Sequence, residues 1–201
     1  MIGKTHAGLG AAAGLALSDK IPGGFKIVGM LVVIIASLLP DIDHPKSIVN
    51  KYILPFKSKL VKLIIYVFLG LGVLVFNYYH GNIPAFIALG TTLIMIGFSS
   101  HRKGLTHSLL GLVIFSFIIS YISNRYNMSF AVYYFIIGYG LHILCDMTTS
   151  RGVPLLYPLS KKNFKFPIIY RVGSKKGSLF EKILLIACVL YFVYRIPFVL
   201  Q

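Results

Sequence analysis

Seven long apolar segments, separated by polar or basic stretches, restrict this chain to very few folds. Apolar residue types make up 57% of the 201 residues and charged ones 12%, about half the charged share of a typical soluble domain. Runs of roughly 17–25 apolar residues can cross a bilayer, where the backbone satisfies its own hydrogen bonds by forming helices. We therefore predict an all-α fold: one domain over residues 1–201, a polytopic membrane helical bundle with about six to seven transmembrane helices. The apolar segments are 5–17, 25–39, 60–76, 83–98, 105–122, 128–147 and 179–200.

The first segment carries two glycines at a spacing that lets membrane helices approach closely. Gly10 and Gly14 form a GxxxG pattern, which exposes bare backbone along one face of a helix. Such a face serves either a dimer or contacts inside one bundle. We favour packing inside the bundle.

The distribution of basic residues predicts the orientation. If all seven segments cross, 16 of the 20 Lys and Arg residues fall on one side. The positive-inside rule makes that side cytoplasmic, so we predict a multi-pass protein of the cell membrane with a basic cytoplasmic loop, residues 148–178, before the last helix. The same count places every histidine except His80 at the cytoplasmic face.

Three of the five acidic residues lie beside histidines at the ends of apolar segments. Asp146 follows His142 by four positions, so on a helix both side chains share one face and lie within reach of one ion. Taken alone, this spacing is also typical of a structural hydrogen bond.

A second acidic group follows the proline that ends the second apolar segment. Asp41 and Asp43, next to His44, repel each other unless a cation or a proton neutralises them. Negative charge at the C-terminal end of a helix also opposes the helix dipole. Solvent could cap such a turn, but we favour a metal ion.

The segment HRKGLTHS, residues 101–108, brings two more histidines and several polar side chains to the same face. Carboxylates and imidazoles suit a divalent metal, most simply zinc, and also manganese or iron. The ligand-type residues suffice for one or two ions. The predicted metal ligands are His6, Asp41, Asp43, His44, His101, His107, His142 and Asp146. The residues predicted to bind an anionic substrate beside them are Arg102, Lys103, Thr106, Ser108 and Arg151.

Four sequence blocks, in this order, resemble the YdjM-type membrane-bound metal-dependent hydrolases: HAGLG, SLLPDIDHPKS, HRKGLTHS and GYGLHILCDMTTSRGVPLLYP. That family is grouped by distant similarity with zinc-dependent phospholipases C and single-strand-specific zinc nucleases, which bind metals through His and Asp. The resemblance implies that His142 and Asp146 match a ligand pair of those enzymes. It further implies that Asp41 and Asp43 provide a bridging ligand or base, and that His6, His101 and His107 complete the metal shell.

These observations favour a membrane-embedded hydrolase, a phospholipase-like phosphoesterase acting at the cytoplasmic face on a membrane lipid or lipid-linked substrate. Water activated by the metal would attack phosphorus. Asp41 or Asp43 would orient the nucleophile, and Arg102 would steady the phosphate.

Two other functions stay open. Intramembrane His and Asp residues also line the paths of metal transporters or form sensors, and a basic membrane scaffold would recruit anionic lipid without catalysis. We expect no nucleic-acid partner, because few aromatic residues alternate with the basic residues of 161–176. The oligomeric state is left open.

Overall fold

A computed structural model describes residues 1–99, 104–167 and 169–199 of the chain. In these ranges the protein is built from α-helices and short 3₁₀ turns, and the loop after residue 147 adds two isolated β-bridges, Thr149–Tyr170 and Val153–Phe164. The predicted all-α class is confirmed. The helices are α1 (Gly3–Leu17), α2 (Ile27–Ala36), α3 (Ile48–Ile53), α4 (Lys59–Tyr79), α5 (Pro84–Phe98), α6 (Leu109–Arg125), α7 (Ala131–Met147) and α8 (Lys175–Val199).

Local sequence signals explain the starts of four of the eight helices in the described parts of the chain. The hydroxyls of Ser47, Ser58 and Ser108 accept the backbone N–H three residues later and so cap α3, α4 and α6. Pro84 opens α5, where its missing N–H costs nothing. The helix α3 was not predicted, because its six residues lie in a basic stretch that reads as a loop.

The outer surface of the bundle is apolar and several of its buried groups are polar. Phe68 on α4 and Val193 on α8 are 75% and 70% exposed, whereas His142 and Asp146 on α7 are buried. By length and composition, α4 and α8 are the two helices of the described chain able to cross a membrane, and four other apolar helices are shorter. This inverted pattern suits a solvent of hydrocarbon rather than water.

Small residues let the helices around α2 pack at close range. A Cβ added at Gly10 would lie 1.8 Å from Ser37 Oγ, and one at Gly14 would lie 2.9 Å from a methyl carbon of Val33. The GxxxG face of α1 therefore packs on α2 inside the bundle, as predicted. At the α2–α7 contact, a Cβ on Gly138 would lie 2.3 Å from the backbone oxygen of Val33.

We predict that Gly138→Ala lowers the free energy of unfolding by about 1–3 kcal/mol. The new methyl group would clash with the backbone oxygen of Val33, which cannot rotate aside as a side chain could, so α7 would have to move away from α2. Chemical or thermal unfolding of the detergent-solubilised protein measures the change.

Gly140→Ala is the matched control on the same helix, since a Cβ there meets nothing within 4 Å. It should leave the stability unchanged or raise it by less than about 1 kcal/mol. Equal losses for the two variants would show that the α2–α7 contact is not tight.

Candidate metal centre

Four side chains from three parts of the chain converge inside the bundle. Asp41, His107, His142 and Asp146 each offer one ligand atom, and these atoms all lie within 4.8 Å of one another. His107 Nε2 lies 3.6 Å from Asp41 Oδ1 and 3.6 Å from Asp146 Oδ2. His142 Nε2 lies 3.8 Å and 3.7 Å from the same two oxygens.

These four distances have the pattern expected around a tetrahedral metal ion. Zinc binds imidazole nitrogen and carboxylate oxygen at about 2.0–2.2 Å, so neighbouring ligand atoms of a tetrahedral site lie about 3.3–3.6 Å apart. The observed spacing of 3.6–3.8 Å for these four of the six ligand pairs is slightly wider, and the other two pairs lie within 4.8 Å. Two imidazoles and two carboxylates therefore fit zinc, and the donor set also suits manganese or iron.

The helix α7 supplies two of the four ligand atoms, and α2 fixes one of them. His142 and Asp146 are one turn apart on the same face of α7, and both side chains are fully buried. His142 Nδ1 donates to the backbone oxygen of Ser37 at 2.7 Å. Because a carbonyl oxygen can only accept, Nδ1 carries the hydrogen and Nε2 presents its lone pair to the cluster. Within the described structure, this Nε2 is buried without a hydrogen-bond partner.

A hydrogen-bonded chain fixes the second imidazole in the same way. Thr106 Oγ1 donates to Asp43 Oδ2 at 3.0 Å and lies 3.2 Å from His107 Nδ1. Because the hydroxyl hydrogen points to the carboxylate, the hydroxyl oxygen is left to accept from Nδ1. His107 Nε2 is then directed at Asp41 and Asp146. Asp43 thus supports a ligand through Thr106 rather than joining the group of four.

The turn that carries Asp41 and Asp43 is held by two buried polar side chains. Asn50 Nδ2 donates to the backbone oxygens of Ile42 and His44, at 2.7 Å and 2.8 Å, and Tyr66 Oη donates to Asn50 Oδ1 at 2.6 Å. Pro40 turns the backbone away from α2 at this point. The bonds from Asn50 then take the place of hydrogen bonds between the turned backbone and water.

Lys62 joins this turn to α4 and α5. Its buried ammonium donates to the backbone oxygens of Asp43, Ile96 and Ser99, at 3.0, 2.8 and 2.6 Å. The three contacts place a positive charge behind Asp43 and satisfy all three hydrogens of the ammonium group.

The first helix adds a third imidazole beside the cluster. The rings of His6 and His142 stack with centroids 3.7 Å apart, and His6 Nε2 lies 3.3 Å from Asp146 Oδ1. The amino group of Met1 donates to the same oxygen at 2.8 Å. Glu181 on α8 holds this start of α1, since its carboxylate accepts from Ile2 N and Thr5 Oγ1, each at 3.1 Å.

Two of the ligand-type groups lie in turns between helices, and their pKa values reflect the negative charge around them. Burial lowers the pKa of His107, but the charge of Asp43 and the interactions with Asp41 and Asp43 outweigh it and raise the pKa to about 10. Burial raises the pKa of Asp41, but the hydrogen bond with His107 and the electrostatic influence of the neighbouring imidazoles hold it well below its usual value. The cluster thus favours bound positive charge, and a proton and a metal ion compete for it.

A basic cavity of about 860 Å³ opens beside this cluster. Its wall includes Asp43 and His44 together with the exposed residues Lys57, Lys59 and Arg151. The cavity lies at the start of α4, which is one of the helices long enough to cross a membrane. This cavity reaches the surroundings of the cluster at Asp43 and holds several basic groups there.

Most of the predicted site residues come together in space. His6, Asp41, Asp43, His107, His142 and Asp146 form the cluster and its immediate support. His44 lies at the edge, where its Nδ1 accepts the backbone N–H of Lys46, and it is not one of the four grouped ligands. The predicted residues His101, Arg102 and Lys103 lie outside the described residues.

The predicted substrate-binding residues lie in different environments. Thr106 and Ser108 are buried, and the Ser108 hydroxyl donates to Leu105 O and caps α6. Arg151 lines the basic cavity. Sequence reasoning missed Lys62, although an isolated lysine inside an apolar run is a signal of buried charge. It also missed the backbone oxygen of Ser37, for which no residue type gives a signal.

The sequence matches the YdjM inner membrane protein family over residues 1–199. Two curated relatives, each described as "Inner membrane protein YdjM", come from Escherichia coli (strain K12) and Shigella flexneri. Each is 30% identical over 165 residues, which cover 81% of this chain and 62% of the relative. The match thus spans somewhat less than two thirds of the length of these relatives. No solved structure matches the chain.

We predict that the purified protein retains a divalent metal ion and that His142→Ala removes it, because the variant loses one of four converging ligands. Thr106→Val should weaken metal binding about 10- to 100-fold without removing a ligand, since it breaks the hydrogen bond that orients His107. Elemental analysis and competition with a chelator of known affinity measure both effects.

Two matched controls separate these effects from general damage. His80 lies exposed at the end of α4, and Thr91 is exposed on α5 with its hydroxyl bonded to its own helix. His80→Ala and Thr91→Val should therefore leave the metal content unchanged. Absence of bound metal in the unaltered protein would contradict the assignment of the cluster.

Proposed function

This chain belongs to the YdjM inner membrane protein family, and we propose that its Asp–His cluster binds a divalent metal ion and hydrolyses a phosphoester of a membrane lipid or lipid-linked molecule. The protein is a membrane protein of that family. The multi-pass topology and the placement of the cluster at the cytoplasmic face are part of the proposal, and the charge bias of the sequence supports them.

The convergence of four ligand atoms carries this proposal. Buried carboxylates and imidazoles cost desolvation free energy unless a cation or hydrogen bonds compensate for it. Here two imidazole nitrogens are each directed by a partner on the far side of the ring toward the same two carboxylates. A purely structural ion pair does not require the ring of His142 to present a nitrogen lone pair to two carboxylates.

A bound zinc, manganese or iron ion that takes water as an additional ligand beside the four side chains would supply Lewis acidity, both for activating that water and for stabilising charge on a phosphoryl oxygen. The chain itself contributes the orientation of the ligands and a carboxylate that orients the attacking water. Asp41 is the candidate for that role, because its side chain is 18% exposed whereas those of His107, His142 and Asp146 are fully buried. It also lines a second cavity, of about 300 Å³, at the edge of the cluster.

The basic cavity favours a phosphoester over an uncharged ester. Lys46, Lys57, Lys59 and Arg151 surround its opening, and Arg151 can bind two phosphate oxygens at once. Because the cavity lies where α4 begins, a lipid headgroup would reach it without leaving the membrane boundary. Arg102 and Lys103 remain predicted partners of the same anion.

We predict that the metal-loaded protein hydrolyses a chromogenic phosphodiester or a radiolabelled phospholipid in mixed micelles, and that chelation abolishes the activity. Adding back zinc or manganese should restore it. His142→Ala, which loses the metal, should abolish the activity, and Asp41→Asn should lower kcat by roughly 10²- to 10⁴-fold, the range expected when a group that activates or orients the nucleophile is lost.

His80→Ala serves again as the control and should keep full activity. Activity that survives both chelation and His142→Ala would overturn the metal-dependent mechanism. A protein that binds metal but hydrolyses no phosphoester would instead be tested for metal flux in proteoliposomes, which measures the transporter alternative.

We further predict that Arg151→Gln and Lys57→Gln each raise KM for an anionic phosphoester roughly 3- to 10-fold with little change in kcat, because they remove charge that binds the substrate before reaction. The effect should shrink as ionic strength rises. Lys26→Gln, an exposed charge outside the cavity lining, is the control. Equal KM values for all three variants would exclude this cavity as the route of the phosphate.

A further inference from the structure

A second large cavity, which we call the apolar cavity, has no part in the metal centre or in the substrate binding proposed above. It has a volume of about 860 Å³ and is lined mainly by apolar side chains of α1, the loop before α8, and α8 itself. Leu9, Phe166, Phe180 and Leu184 are among them, and Cys145, the residue before Asp146, forms part of the wall.

Backbone contacts build this cavity into the fold. Phe166 N donates to Met147 O at 2.9 Å, and Tyr170 N donates to Thr148 O at 3.1 Å, so the loop is attached to the end of α7. The other wall depends on Gly177, where a Cβ would lie 2.3 Å from the backbone oxygen of Arg171. The start of α8 is therefore fixed against the same loop.

The lining combines an apolar interior with two exposed positive charges. Arg171 and Lys176 both line the cavity and both are exposed, at the point where the loop meets α8. The helix α8 is apolar and long enough to span a membrane. A cavity with hydrocarbon walls and a cationic margin at the start of a membrane helix matches an amphiphile with an anionic head.

We propose that this cavity binds an acyl chain of an anionic glycerophospholipid, whose phosphate is held by Arg171 and Lys176. Because Cys145 in its wall adjoins Asp146, a lipid bound here lies next to the ligand cluster. The site goes beyond the proposed function: it is a lipid site separate from the basic cavity proposed for the reacting phosphoester, and lipid binding itself requires no metal.

The test uses phosphatidylglycerol with a photoactivatable group in one acyl chain, incorporated with the full-length protein into nanodiscs. Cross-links identified by mass spectrometry should lie on the peptides that contain Leu9, Phe180 and Leu184. Leu184→Trp should lower cross-linking to the peptide containing Leu9 at least 10-fold by filling the cavity. Leu190→Trp on the outer surface of the same helix, where Leu190 is 65% exposed, should not.

The headgroup is tested with the Arg171→Gln/Lys176→Gln double variant and with phosphatidylcholine of the same chains. Both changes should reduce cross-linking in the cavity several-fold. Equal labelling of the cavity and of the surface around Leu190, or equal labelling by both lipids, would overturn the proposal.

The same measurement on His142→Ala distinguishes this inference from the proposed function. That variant should cross-link the lipid normally while lacking hydrolysis. Cavity labelling without hydrolysis in the unaltered protein would overturn the enzyme alone, whereas hydrolysis without cavity labelling would overturn the lipid site alone. An unchanged unfolding temperature of Leu184→Trp shows that loss of labelling is not loss of fold.

Discussion

The structure is organised around buried charge in a bundle whose outer surface is apolar. Three carboxylates and three imidazoles lie together at the ends of apolar helices, where each charge is costly unless it is paired. Much of the local architecture compensates for that cost. Helices approach closely where glycine allows it, turns expose their backbone oxygens inward, and the buried side chains of Asn50, Lys62 and Thr106 bond to the segment that carries Asp41 and Asp43.

The supporting groups are mainly backbone oxygens, and this has a structural consequence. Ser37 O receives His142, while the backbone oxygens of Asp43, Ile96 and Ser99 receive Lys62. Such bonds survive most side-chain substitutions but depend on the exact path of the chain. The close α2–α7 contact therefore supports the site, because it brings the end of α2 to the ring of His142.

The two large cavities give the cluster different surroundings on different sides. The basic cavity borders Asp43 and holds charged residues at the start of α4, and the apolar cavity borders Met1 and Cys145 and extends beside α8. We assign these cavities to different ligands in our proposals: the reacting phosphoester to the basic cavity, and an anionic lipid with its acyl chain to the apolar cavity.

Sequence alone determined the helical class and much of the ligand set, for physical reasons. Long apolar runs must form helices in lipid, and a carboxylate beside an imidazole in such a run needs a partner, so Asp41, Asp43, His142 and Asp146 could be recognised from residue type and spacing. Tertiary structure alone decided their roles. It separated Asp43, which supports His107 through Thr106, from Asp41, which joins the ligands, and it revealed Lys62 and Ser37 as supports. Those distinctions depend on distances between segments remote in sequence, which residue spacing along one helix does not encode.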